Sequence, residues 1–330
     1  MSQKQIHVGI SGAHASEGWA SVLISSARIF LWLFLLLLPL TGCLLRAHKV
    51  ESRVRSTAPL QEATAQQLIA RINTDAEKVK TLNATVDIAA STGGEKKGKV
   101  TDYQEIRGYV LLRKPSTLRM IGLYPVVRNK AFDIVSDGGR FRLYIPVKNK
   151  FFVGSKDVTT PSKNTLENLR PQHILDAMLV KEIDLQDEIA VVESATELVK
   201  DPRSKKDVEQ PNYILNVVRK RPDGSSVLTR KIYFSRVDLN PTRQVLYGAT
   251  GNVTTIATYN NFKDQQGVMF PNIIEIDRPQ EEYKIQLGLV KLTLNQPLTD
   301  QQFTLAQPPT AQTVDLDKTS ASATPQTATH

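Results

Sequence analysis

Cysteine is almost absent from this 330-residue chain; the single one is Cys43. One thiol excludes an intramolecular disulfide framework and a four-cysteine zinc site. Histidine is nearly as scarce. His7, His14, His48, His173 and His330 lie mostly near the ends, which leaves little for a histidine metal site. No apolar run reaches the ~20 residues that a membrane-spanning helix needs. Gly-x-Ser-x-Gly, His-Glu-x-x-His, phosphate-loop and dinucleotide fingerprints are missing as well. No catalytic residue, metal or cofactor is therefore expected, and the chain reads as a non-enzyme.

What is present can still build a core, since 41% of residues are apolar and 23% charged. The net charge of +9 suits an anionic membrane surface or nucleic acid and by itself decides neither. Arg28 precedes the apolar run Ile29–Leu40, which Thr41-Gly42-Cys43 follows. A basic residue, a short apolar run and small residues make a secretory signal layout. Leu40-Thr41-Gly42-Cys43 resembles the lipobox of bacterial lipoproteins. The resemblance implies that Cys43 is acylated and becomes a triply acylated N-terminus, a far firmer anchor than one chain. An uncleaved anchor helix through Leu44-Leu45, or a chance buried cysteine, are the alternatives.

The segment before Arg28 is long and polar for a leader, so translation is expected to begin further in. Cleavage removes Lys4 and Arg28 against Glu17, lowering the charge from +9 to +8. Leu44, not aspartate, follows the cysteine. By resemblance this lipoprotein is expected at the outer membrane, lipid-anchored, with its domain facing the periplasm. Nucleic acid is then not an expected partner. Lys96-Lys97-Gly98-Lys99 and Lys205-Lys206 are read as solvated tips or contacts with anionic lipid.

Residues 1–42 are thus the leader. Residues 43–60 form the acylated N-terminus and a tether carrying Arg46, Lys49, Arg53 and Arg55, residues 61–305 one domain, and residues 306–330 a disordered Pro/Thr/Ala/Gln-rich tail. Within the domain, Thr64-Ala65-Gln66-Gln67 fits a capping box. Leu68, Ile69, Ile72, Ala76 and Val79 share one face of a helix expected over Thr64–Leu82. From Thr85 the period changes to two, as in Arg140-Phe141-Arg142-Leu143-Tyr144-Ile145. Turn signals such as Asp137-Gly138-Gly139 and Arg221-Pro222-Asp223-Gly224 recur at short intervals, giving about eleven strands of one antiparallel meander. A second helix is expected over Thr165–Leu179 and an exposed loop over Lys200–Pro211. The acidic pairs Asp133/Asp137 and Glu281/Glu282 are expected to be solvated, and His173 to sit on a helix surface or cap.

So many antiparallel strands must curl, and the concave face needs covering. Its inward candidates are Phe141, Leu143, Ile145, Ile232 and Phe234, with Ile174 and Met178 from the helices. Periodicity alone suits an ordinary packed core as well as a cavity. Four segments then add a resemblance: Gly108-Tyr109-Val110-Leu111-Leu112-Arg113-Lys114-Pro115-Ser116-Thr117-Leu118-Arg119, Asp137–Pro146, Leu169–Leu175, and Leu294–Leu298 with Phe303. In order and spacing they resemble the LolA/LolB lipoprotein-carrier superfamily of Gram-negative bacteria. Being itself a lipoprotein by its lipobox, the chain is closer to the membrane-anchored LolB type. The insertion around Lys200–Pro211 and the polar tail depart from that pattern.

The resemblance implies an α+β fold, an open antiparallel half-barrel with a helical lid over an apolar cavity. It makes the seven residues above lipid-cavity candidates. The implied partners are acyl chains of membrane lipid or lipoproteins, with a periplasmic carrier or another envelope protein as protein partner, and the chain a monomer. It further implies that Leu123, Tyr124, Val126, Val127 and Arg128 form a membrane-contacting loop. The competing reading is a structural or assembly lipoprotein that binds another envelope protein. Cys43→Ser is expected to block acylation and leave the precursor in the inner membrane; normal maturation of that variant, judged by size and lipid labelling, would refute the lipobox.

Overall fold

The first helix follows directly from its sequence. In the computed structural model, which describes residues 54–55, 59–156, 170–200 and 207–321, helix α1 spans Ala65–Lys78. Thr64 caps it. Its Oγ1 accepts from Gln67 N at 3.3 Å while Gln67 Oε1 accepts from Thr64 N at 2.8 Å, satisfying two donors that the first turn would leave orphaned. The helix ends short of the expected Leu82, because Leu82 is already an inward residue of a strand, paired with Leu112 and Leu294.

Sixteen strands lie among the described residues, more than the eleven that the alternation predicts. They are β1 (Val54–Arg55), β2 (Thr81–Gly94), β3 (Lys99–Asp102), β4 (Ile106–Arg113), β5 (Thr117–Leu123), β6 (Lys130–Ser136), β7 (Arg140–Ile145), β8 (Lys150–Ser155), β9 (Glu188–Lys200), β10 (Asp207–Lys220), β11 (Ser226–Ser235), β12 (Pro241–Tyr247), β13 (Val253–Gln265), β14 (Val268–Arg278), β15 (Tyr283–Leu294) and β16 (Gln312–Asp315). The sheet runs β1-β10-β11-β12-β13-β14-β15-β2-β4-β5-β6-β7-β8-β16, with β9 on β10 and β3 on β2. Among the described residues it does not close into a barrel. All pairings are antiparallel except β1 with β10 and β8 with β16, which are parallel. The strands that the alternation missed are short, like β1, β3 and β16, or carry apolar residues on an exposed face, like β9.

The span Lys200–Pro211 is not one loop. Lys200 ends β9 and Asp207–Pro211 open β10, paired through Pro211↔Thr196. Pro211 is tolerated because of where it sits. Its carbonyl accepts from Arg236 N, so its missing N–H also faces the side where β10 changes neighbour from β1 to β11.

Helix α2, Pro171–Met178, covers only part of the expected Thr165–Leu179; residues 165–169 lie outside the described residues. It touches β5 and β6 on one arm of the sheet and β13 and β14 on the other, so the sheet wraps around it. Ile174, Leu175, Ala177 and Met178 are buried with Leu112, Leu118, Met120, Ile134 and Ile274. Its last carbonyls are satisfied inside the core. Gln244 Nε2 donates to Asp176 O at 2.8 Å, and Tyr259 Oη donates to Ala177 O at 2.7 Å. Meanwhile α1 packs Leu68, Ile69 and Ile72 against Leu215, Val217, Ile232 and Phe234 in a second cluster. Each helix is seated on the sheet with much of its apolar face packed.

The C-terminal segment is also part of the fold, contrary to the disordered tail expected from residue 306. Leu305 and Ala311 dock on Val135 and Phe151 on the opposite face of the sheet. Then β16 lengthens the edge strand β8, and helix α3 (Leu316–Ala321) returns Leu316 to the main core. Composition hides this because three apolar residues suffice where the receiving surface is already apolar. Leu316→Ala should cost about 2–5 kcal/mol of stability in urea unfolding, the usual range for a buried leucine; an unchanged midpoint would mean that the segment does not dock.

Candidate functional site

An apolar cavity of about 270 Å³ opens beside the paired strands β4 and β5. Gly108 and Gly122 are paired in β4 and β5 at inward positions. A Cβ on Gly108 would fall 2.6 Å from Ile88 Cδ1, and one on Gly122 2.4 Å from the Phe132 ring. Ile88 and Phe132 therefore lean into space that side chains would fill, and with Ile106, Met120, Ile145 and Ile285 they wall the cavity. Tyr124, Val147 and Tyr283 stand at its margin.

Beside it is the connection between β5 and β6. Tyr124 N donates to Asn129 O at 2.9 Å and Val127 N to Pro125 O at 2.8 Å. The second bond closes a three-residue turn around Val126, whose φ is 68°, a rare and strained arrangement for a β-branched residue. Val126 is 98% exposed, Val127 64%, and Val147 on the neighbouring turn 73%. Arg128, also left-handed at φ 52°, is exposed. Of the five loop candidates, Leu123 is the one set apart, half-buried as the last residue of β5.

The seven cavity candidates are all buried but are not brought together. Ile145 lines the 270 Å³ cavity, while Met178 and Phe234 line a smaller apolar space of about 80 Å³ between α1, α2 and β14. Phe141, Leu143 and Ile174 sit in the main core, and Ile232 in the cluster under α1. The sequence missed Ile88, Ile106, Phe132 and Ile285. Alternation marks these positions as inward but cannot say which inward residues lie beyond the reach of α2. Cys43, the leader and most of the tether lie outside the described residues; of the tether, Val54–Arg55 in β1 and residues 59–60 are described.

Charged groups are placed less simply than expected. Asp133, expected to be solvated, is fully buried. It accepts from Arg119 Nε and Nη2 at 3.0 and 2.8 Å and from Lys130 Nζ at 2.7 Å, the forked geometry that makes a buried carboxylate tolerable. Asp137 behaves as a turn residue, its Oδ1 accepting from Gly139 N and Arg140 N at 2.8 Å. The Arg140 bond, first among the causes, holds its carboxyl below the usual range. Among the described residues no three His, Cys, Asp or Glu side chains are grouped to hold a metal, and no helix is long and apolar enough to cross a membrane.

His173 sits in the first turn of α2 with its Nδ1 buried and unpartnered. Burial first, then the neighbouring Arg278 and Arg170, lowers its pKa to about 3. It is therefore neutral at physiological pH.

No family model matches the chain, and no curated protein does. Among solved structures, it is similar to a LolA superfamily protein from Nitrosomonas europaea, with 14% identity over 74% of this chain and 99% of that one and a TM-score of 0.44. It is similar also to a DUF1329 family protein from Desulfovibrio piger, with 14% identity, 72% and 94% coverage and a TM-score of 0.45. A domain named for outer membrane lipoprotein sorting, from Vibrio parahaemolyticus, is similar at 10% identity, 73% and 96% coverage and a TM-score of 0.42.

The depressed pKa of His173 gives stability a pH dependence. The unfolded chain takes up this proton near 6.5, whereas the native chain resists until about 3. Native stability is therefore full above that interval and falls as pH drops through it. His173→Gln should make the fall in melting temperature between pH 7 and 4 shallower; parallel curves for the two proteins would show that His173 protonates without cost.

Proposed function

We propose that this protein is a membrane-anchored, non-enzymatic lipid-binding protein. It would hold acyl chains of lipid or of lipoproteins in the apolar cavity and take part in placing lipoproteins in the outer membrane. Cys43 would supply the anchor. The observation that carries the reading is the tip made by Tyr124, Val126 and Val127 with Val147, apolar and exposed at the margin of an apolar cavity. A β-branched residue held at positive φ in water gains nothing for the fold, so its place is explained by something it meets outside the fold. Tyrosine and arginine beside it suit a headgroup interface, with Tyr124 at the ring depth and Arg128 toward phosphates. Acyl chains would then move by burial alone, at ~0.8 kcal/mol per CH₂.

One observation favours the second reading, an assembly protein. Among the described residues β9 pairs with β10 alone, and Ile189, Val191 and Leu198 on it are exposed. An open, apolar edge of this length can accept a strand from another envelope protein.

The two readings separate in one experiment. Val126→Asp with Val127→Asp should slow extraction of labelled lipid from anionic vesicles by about tenfold or more, given ~1.5 kcal/mol or more for each buried valine. The melting temperature should not change, because both side chains stand in water. Unchanged extraction, or a protein that takes up no lipid but crosslinks through β9, would replace the first reading with the second.

A further inference from the structure

Strand β9 has a single neighbour among the described residues. Its 13 residues pair with β10 from end to end, with no shift of register. Strands β1, β3 and β16 also have one neighbour each, but they number two, four and four residues. A short edge recruits other chains poorly; prolines, bulges and charges standing at the edge are the other protections. Between Glu188 and Lys200 there is neither proline nor glycine.

The acidic side chains of β9 do not guard the edge either. Glu188 is buried against Arg219 and Arg230. Glu193 Oε2 accepts from Asn216 Nδ2 at 3.3 Å. Glu197 accepts from Arg243 Nη2 at 2.6 Å and from Asn212 Nδ2 at 3.0 Å. Those five partners stand on β10, β11 and β12, so all three carboxylates are drawn over their own sheet. What the open side keeps in water is apolar: Ile189, Val191 and Leu198 are exposed. A long apolar edge with unpaired N–H and C=O groups calls for a strand.

The edge is complementary to itself. Directly opposed residues of an antiparallel pair share a face, so two copies of β9 can pair about a two-fold axis placed at a residue. With the axis at Ser194, Ile189 opposes Val199 of the second copy and Ala190 opposes its Leu198. The same register sets Lys200, at the end of the strand, opposite Glu188, and no two carboxylates meet. Moving the axis to residue 193 opposes Glu193 to itself and Ile189 to Glu197. Moving it to residue 195 opposes Glu193 to Glu197. Like charges directly opposite are unfavourable, so charge selects the first register.

We propose that β9 is a dimerisation edge, through which two copies of this chain join their sheets as antiparallel strands about an axis at Ser194. The two-fold uses the same edge on both copies, so the assembly closes at two. The proposal keeps the strand addition of the assembly reading above but gives it a different partner, and it is independent of the lipid-binding reading.

The test uses the full chain in detergent, with Cys43→Ser so that an introduced thiol stands alone. Ser194→Cys brings one thiol from each copy to the axis, where opposed Cα atoms are ~4.5–5.5 Å apart and within disulfide reach. Mild oxidation should give a species of twice the chain mass. Its yield should be about tenfold or more above that of Thr101→Cys, an exposed position on β3. Ile189→Asp with Val199→Asp opposes carboxylates at both ends and should raise the dissociation constant, read by sedimentation, about tenfold or more. Ile189→Asp with Val199→Lys opposes unlike charges in this register and should restore pairing. If the double-carboxylate variant unfolds, the Ser194→Cys disulfide still decides. A chain that stays monomeric, a disulfide no more abundant than at Thr101, or a dimer indifferent to the opposed carboxylates would overturn the proposal. So would a crosslinked species containing another protein, which would instead support the assembly reading.

Discussion

A wide, twisted antiparallel sheet presents one concave apolar face, and the short helix α2 is what fills it. Eight residues are too few to form a stable helix alone, so α2 exists because Ile174, Leu175, Ala177 and Met178 are buried between the arms of the sheet. Each large side chain among them contributes ~1.5–3 kcal/mol. The sheet in turn keeps its curl because β5 and β6 on one side and β13 and β14 on the other pack on the same helix. Gln244 and Tyr259 fix the depth of insertion through the carbonyls at its C-terminal end.

That insertion divides the concave surface. Around α2 the inward residues pack into the main core; beside it, Ile88, Ile106, Phe132, Ile145 and Ile285 wall an apolar cavity. At the N-terminal end of the same helix, Arg170 and His173 lie near Arg278 beside a polar cavity. The packing of one helix therefore sets an apolar space and a polar one in the same fold.

Some of this was legible in the residues. The capping box at Thr64 stated where α1 begins, because the bonds that make it are local. Asp137-Gly138-Gly139 stated a hairpin for the same reason. The seven apolar candidates are all buried, yet of them Ile145 alone lines the 270 Å³ apolar cavity, since alternation reports the face of a strand and not the height at which a helix from elsewhere will end. Asp133 misled in the opposite direction. Nothing local shows that Arg119 from the neighbouring strand will grip it, or that the C-terminal segment, through Gln302 O bound to Arg119, will close over the pair.

By itself the sequence determined the strand-rich class, the cap of α1 and an apolar tip beside a proline, all of which depend on neighbours along the chain. Tertiary structure decided the rest. The ribbon of β9 and β10, the docking of residues 305–316, the burial of Asp133 and the meeting of Arg278, His173 and Tyr283 each join residues far apart in sequence. Their energy comes from surfaces that exist only once the sheet has curled, and no local pattern can record a surface that is not yet there.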